Sequence, residues 1–187
     1  MNQLRKAALS VTLFSLVFAS GLTAQADALQ AAKLMRQATN SDTAMALKTL
    51  NSFYKPALLG QFPGSVKGLK IGVSTRKDVI AKIGKPDKRG GFDVYHAEMG
   101  HPGYAIAYKR NKIREMRYFG TNVERQTNIG GITKRMLFRQ WGTPSGTVTI
   151  RNGSLVQQKI TYNRGKYKLA FIFNSSTNLD HINLLKR

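Results

Sequence analysis

Cysteine is absent from the 187 residues. Disulfides, thiolate zinc sites, cysteine nucleophiles and a lipidated N-terminal cysteine are therefore excluded, and core packing must carry stability alone. Acid is scarce: 9 Asp and Glu stand against 30 Lys and Arg, a net charge of +21. Such a field draws polyanions, whether nucleic acid, anionic lipid or phosphate-bearing wall polymer, and does not choose among them. Only three histidines and one tryptophan occur. No later segment is long and apolar enough to read as a membrane span.

What is present begins with "MNQLRKAALSVTLFSLVFASGLTAQADALQ". Arg5 and Lys6 form a positive head, Ala7 to Ala19 an apolar run, and Ala24-Gln25-Ala26 and Ala26-Asp27-Ala28 offer two cleavage sites. This is the layout of a secretory signal peptide, assigned to residues 1–28. Its apolar run is shorter than the roughly 20 residues that span a bilayer. The expectation is a secreted chain, extracellular or associated with the cell wall, with no transmembrane segment in its mature form. Loss of residues 1–26 removes Arg5 and Lys6 and no acid, leaving +19, two below +21. Export makes surface polyanions more plausible partners than chromosomal nucleic acid.

Residues 29–67 read as a helical lead and connector. Asn40-Ser41-Asp42 offers N-cap candidates, and Met45, Leu47, Leu50, Phe53 and Tyr54 form an approximate helical stripe. Pro56 ends or kinks that helix, and "GQFPGSVKG" is a Gly/Pro-rich connector.

Two copies of one pattern follow. "IGVSTRKDVIAKIGKP" (71–86) and "IGGITKRMLFRQWGTP" (129–144) share five of sixteen residues at an offset of 58. The identities fall on punctuation. Thr75 and Thr133 suit N-caps, and Asp78 completes a capping box with Thr75. Gly84 and Gly142 suit a left-handed C′ position before Pro86 and Pro144. Val79, Ile80 and Ile83 make one apolar face, and Leu137, Phe138 and Trp141 the matching one. Alternating segments after each helix predict strands, with Asn152-Gly153 as a hairpin signal. The predicted fold is α+β: a tandem repeat of a helix followed by a three- or four-stranded antiparallel sheet, over 68–126 and 127–187, preceded by N-terminal helices.

Chemistry-bearing motifs are few. Asp93, His96, Glu98 and His101 crowd together, but strand periodicity sets Asp93 opposite His96 and Glu98, so no metal site is expected. Asp180 and His181, adjacent in a strand, should point to opposite faces. No nucleophile elbow, P-loop, dinucleotide fingerprint or selected carboxylate pair occurs. No cofactor is expected. Basic clusters lie at Lys85/Lys88/Arg89, at Lys109/Arg110/Lys112/Arg114/Arg117 and at Arg164/Lys166/Lys168. The middle one, with Tyr118 and with Glu124 and Arg125 of the polar connector, is the candidate binding surface. Its plainer reading is a solvated face, with Tyr104 and Tyr108 as strand core.

At "DVYHAEMGHPGYAIAYK", "IREMRYFGTNVERQTNIGGIT" and "DHINL" the chain resembles the YjgB-like family, exported proteins of Gram-positive bacteria catalogued as a domain of unknown function. The resemblance runs from about Gly68 to Leu184 and rests on Tyr95-His96, Met99-Gly100, Pro102-Gly103-Tyr104, Arg117 to Thr121 and Val123 to Gln126. It brings no catalytic residues. At fold level the tandem pattern resembles beta-lactamase-inhibitor-protein-like domains and small outer-membrane assembly lipoproteins, which work through a sheet face. The lipoproteins carry a lipid-bearing cysteine that this chain lacks, so their role does not transfer. The expected function is a non-enzymatic binding module held at the anionic cell wall by charge. The alternatives are a protein-binding or inhibitor-like module, a cell-wall hydrolase, and nucleic-acid binding, which is not favoured.

Overall fold

A computed structural model describes residues 19–98, 100–121 and 129–187. The stretch expected to head the signal peptide, and Glu124 and Arg125, lie outside the described residues. The chain divides into two compact units, Met1–Thr39 and Asn40–Arg187. Within the first, helix α1 begins at Ala19 and its described side chains are exposed, including Leu29, Leu34 and Met35. Among the described residues no helix is long and apolar enough to cross a membrane.

Helix α1 continues to Ser52 without a break at Asn40-Ser41-Asp42. Good helix formers on both sides carry these residues through, and side chains suited to a cap are tolerated on an exposed turn. Pro56 acts as expected. Its ring opposes the carbonyl four residues back, at Ser52, where α1 stops, and a short helix α2 (Tyr54–Leu58) follows. The buried stripe is Ala46, Leu50, Phe53 and Ala57, whereas Met45 and Tyr54 are exposed. Leu50 and Phe53 hold their expected places, while Ala46 and Ala57 replace Met45 and Tyr54 on the buried side.

Helices α3 (Arg76–Ile83) and α4 (Lys134–Trp141) start at the expected threonines. Thr75 accepts a hydrogen bond from the Asp78 main-chain N–H at 3.2 Å, while Asp78 Oδ2 accepts from the Thr75 main-chain N–H at 2.7 Å. Thr133 caps α4 through the Met136 N–H at 3.1 Å. Gly84 (φ 86°, ψ −172°) and Gly142 (φ 72°, ψ −151°) end the helices. Their φ is positive, as expected, but their ψ is extended. This is not the αL cap but a region open essentially to glycine alone. Leu137 is buried and Trp141 half-buried, whereas Phe138 faces solvent.

The strands are β1 (Asp93–Tyr95), β2 (Gly103–Lys109), β3 (Lys112–Gly120), β4 (Gly146–Asn152), β5 (Leu155–Arg164), β6 (Tyr167–Phe173) and β7 (Leu179–Lys186). All pair antiparallel in one seven-stranded sheet of order β1-β2-β3-β7-β6-β5-β4. The α+β class holds. The three strands after α3 and the four after α4 share a single sheet, joined where β3 pairs with β7.

One sheet face carries Tyr104, Ile106, Met116, Tyr118, Leu169, Phe171, Ile182 and Leu184, in register with one another. The helices pack on that face. Phe53 meets Phe62 and Tyr118 at ring distances of 5.3 and 5.1 Å, and Trp141 meets Phe171 at 5.2 Å. Tyr162 donates its hydroxyl hydrogen to the Gly142 carbonyl at 2.9 Å, tying β5 to the end of α4. Asp93 is fully buried, and Arg76 Nε lies 2.8 Å from its carboxylate. A buried charge of this kind requires a partner.

Candidate functional site

Antiparallel pairing decides which turns share an end of the sheet. Lys109 pairs with Lys112, Glu115 with Leu185, Lys186 with Tyr167, and Tyr167 with Arg164. The β2–β3 turn, the end of β7 and the β5–β6 turn therefore lie side by side. The Arg187 main-chain N–H donates to the Lys166 carbonyl at 3.0 Å, which fastens the last two. Two clusters far apart in sequence become one basic rim. Lys109, Arg110, Lys112 and Arg114 come from the first, and Lys166, Lys186 and Arg187 join them, all exposed. Segments 108–114, 163–168 and 185–187 contain no acid. Asp78 is near Lys112, but its carboxylate is held by the α3 cap. Its pKa is lowered first by the Thr75 main-chain N–H, then by the Thr75 hydroxyl, with Lys112 and Lys77 adding charge.

Arg110 and Asn111 form the tip of the first turn with φ of 51° and 59°. Two positive φ values give the turn whose twist matches a two-residue hairpin. Asparagine visits this region readily, but arginine does so at a cost of roughly 1 kcal/mol. Glycine would sit there without strain, so a cation at this tip is held against a local conformational preference.

The remaining candidates divide. Arg117 is not on the rim. It lies on the sheet face away from the helices, with Nε 2.8 Å from Glu115 and its guanidinium 4.1 Å from the Phe92 ring centroid. Tyr118 faces the helices and packs among Phe53, Phe62 and Tyr104.

The histidine-rich stretch borders a cleft of about 370 Å³ that also takes in Lys82, Lys85, Ser65 and Tyr104. Asp87 Oδ2 accepts from the His96 main-chain N–H at 2.7 Å and lies 3.2 Å from His96 Nδ1. That main-chain bond is the first cause of the lowered Asp87 pKa. Ser65 and Tyr104 share a hydrogen bond of 3.0 Å, and Tyr104 is pushed up to about 12, chiefly by burial. The cleft holds acids and histidines, the feature a hydrolase would need. Among the described residues no three His, Asp or Glu side chains are grouped to hold a metal ion.

Asp180 and His181 do not diverge as strand alternation requires. His181 Nδ1 lies 2.5 Å from Asp180 Oδ1. The reason is a bulge: Ile172 opposes His181 while Phe173 opposes Leu179, so Asp180 is left out of the pairing. The freed carboxylate turns to His181 and accepts from Asn174 Nδ2 at 3.1 Å. These contacts, His181 first, hold its pKa below the usual carboxylate range.

Sequence reasoning missed Lys186 and Arg187 as partners of the hairpin cations. The available signal was the last strand's basic end, once hairpins were placed on both sides of it.

The sheet with its capped helices falls in a defined class: the chain is a member of the DUF4309 family, a domain of unknown function, matched over residues 50–185. It is 35% identical over 189 residues to YjgB of Bacillus subtilis (strain 168), described as uncharacterized, spanning 98% of this chain and 96% of that one. The crystal structure of YjgB, a DUF4309 family protein, superposes with a TM-score of 0.72 at 36% identity, covering 77% of this chain and 99% of that chain. An extracellular protein containing a SCP domain from Bacillus anthracis str. Ames gives a TM-score of 0.44 at 10% identity, covering 66% of this chain and 48% of that one, too slight a likeness to carry an argument.

Proposed function

We propose that this protein is an exported, non-enzymatic binding module that adheres to the anionic cell wall through its basic rim. The observation that carries the reading is the meeting of seven exposed Lys and Arg side chains at one end of the sheet, without an acid in the segments that supply them. Closely spaced cations on a fixed scaffold bind a flexible polyanion through many weak contacts, each screened by salt. The test is binding of the chain from residue 29 onward to isolated walls, with and without their anionic polymers, across a salt series. Adhesion that needs the polymers and fades with salt supports the reading. Adhesion indifferent to both sinks it.

A second reading, a protein-binding or inhibitor-like module, is favoured by the face away from the helices. Phe119 meets the His181 ring there at 5.2 Å, and register carries the row on through buried Ile172 to Lys159 and Val148, with Phe119 and Val148 42% and 61% exposed. Capture of one saturable protein partner that survives high salt would favour it. We read the two helix-and-strand halves as a tandem repeat, on the shared threonine starts and extended-ψ glycine ends of α3 and α4. The histidine-lined cleft keeps the hydrolase reading as a third. Release of wall fragments by the purified protein, lost in His96→Ala, would replace the first reading with it.

A further inference from the structure

A second cleft, of about 520 Å³, opens where α1 gives way to α2 beside the last turn of α4. Its walls are aromatic and its margins polar. Tyr54 and Trp141 meet at 5.0 Å with ring planes 74° apart. Trp141 Nε1 donates to Asn51 Oδ1 at 3.2 Å. Gln140 and Lys55 line the same space and are exposed. Trp141 is held from behind by Tyr162 and Phe171, at 5.4 and 5.2 Å. The Arg164 guanidinium lies 3.5 Å from the Tyr54 ring centroid and donates to the Tyr54 carbonyl at 3.4 Å. Its Nε is buried without a hydrogen-bond partner.

The chemistry of this lining is selective. Two aromatic walls nearly at right angles do not make the parallel sandwich that a flat nucleobase fills. An apolar peptide side chain would find carboxamides and an ammonium around the rings, groups that lose hydration when such a side chain covers them. A pyranose has the matching character, with C–H faces for the rings and a rim of hydroxyls for Asn51 and Gln140. Lys55 adds positive charge to the lining, with Arg164 behind Tyr54, which favours a sugar with an acidic substituent. Arg164 also begins the β5–β6 turn, so the cleft adjoins the basic rim.

We propose that this cleft is a saccharide subsite that takes one pyranose unit of an anionic glycan, packed against Tyr54 and Trp141, with its acidic group toward Lys55. The subsite uses residues distinct from the exposed rim and stands whether or not the rim adheres to walls.

Trp141 is the only tryptophan in the chain, so its emission in the unmodified protein reports on this cleft alone. The probes are a hyaluronan tetrasaccharide, which carries uronates, a neutral chitotetraose, and inorganic polyphosphate, which has charge but no sugar. Each is titrated at about 150 mM and about 500 mM salt, where exposed charges are strongly screened. The expected result is a saturable emission change with the uronate-bearing probe, weaker with the neutral one, that persists at the higher salt. Tyr54→Ala should weaken binding about tenfold or more, roughly 1.4 kcal/mol. Lys55→Gln should abolish the preference for the uronate. Gln140→Ala, an exposed change that leaves the fold intact, should weaken both saccharides. A variant with Lys109, Arg110, Lys112 and Arg114 all changed to Gln should keep the response, which separates this site from wall adhesion. No saturable change with either saccharide, an unaltered response in both Tyr54→Ala and Gln140→Ala, or a polyphosphate response equal to the saccharides would overturn the proposal.

Discussion

Gly60 lies directly under the ring of Tyr167: a methyl group built on Gly60 would stand 2.4 Å from Cζ of that ring. The contact seats the segment after α2 on the β5–β6 turn, and Gly60 holds φ at 71° to make it. Gly60→Ala therefore meets two penalties, about 1 kcal/mol for the left-handed backbone and about 1–3 kcal/mol for overpacking. Gly68 also has positive φ, 94°, but open space around it. Gly68→Ala should show the backbone penalty alone. Urea unfolding of the two variants should separate them clearly, and equal losses would mean that the ring simply moves aside.

The helix caps make a second expectation. Thr75→Ala and Thr133→Ala each remove a side-chain acceptor from the first turn of an eight-residue helix. Each should cost about 1 kcal/mol, and Thr75→Ser should recover most of its loss. The midpoint of chemical denaturation is the readout. A neutral Thr133→Ala would show that water replaces the cap.

Alkaline stability follows from the tyrosines. Tyr95, Tyr104 and Tyr162 are pushed up to about 12, in each case first by burial, and Tyr108 is raised by the same cause. An unfolded tyrosine ionises near about 10. Below that pH both states keep the proton and the contribution to stability is complete. As pH rises from about 10 toward 12 the unfolded chain releases protons first, so stability falls. Phenolate absorbance should therefore develop in two steps, the later one accompanying unfolding. A single step near pH 10 with the circular dichroism unchanged would contradict the buried placements.

Rim and sheet-face arginines should part company. Changing Lys109, Arg110, Lys112 and Arg114 to glutamine should flatten the salt dependence of wall binding and leave the thermal midpoint nearly unmoved, since exposed charges contribute little to stability. Arg110→Gly alone should raise stability by about 1 kcal/mol through relief of the strained tip, while weakening adhesion. Arg117→Ala should do the reverse, costing about 1–2 kcal/mol through its Glu115 and Phe92 contacts. Equal loss of adhesion from Arg117→Ala would move the binding surface to the open sheet face.

Local rules carried much of this architecture into view from sequence. Thr75, Thr133 and Pro56 act on their own turns, so their effect can be read in a short window. Tyr167, Leu169, Phe171 and Phe173 alternate in sequence as a strand should, and Asn152-Gly153 marks the hairpin before β5. Longer-range effects were hidden. The buried side of α1 is set by tertiary packing, which covers Ala46 and leaves Met45 exposed. The Asp180–His181 contact depends on a bulge with no sequence marker. The hairpin cations and Lys166 are visible in basic clusters, but their meeting, and the part of Lys186 and Arg187, depend on where β7 inserts. Tyr54 and Trp141 join only through the packing of α2 and α4 on the same sheet face.

Strand β7, the last in chain order among the described strands, is the fourth of seven across the sheet, lodged between β3 and β6. Until it arrives, those two neighbours each present an open row of hydrogen-bonding groups. Closure of the sheet therefore waits for residues 179–186, however early the first hairpin forms. The same order leaves it exposed: a nick that detaches residues 179–186 removes the centre of the sheet rather than its margin.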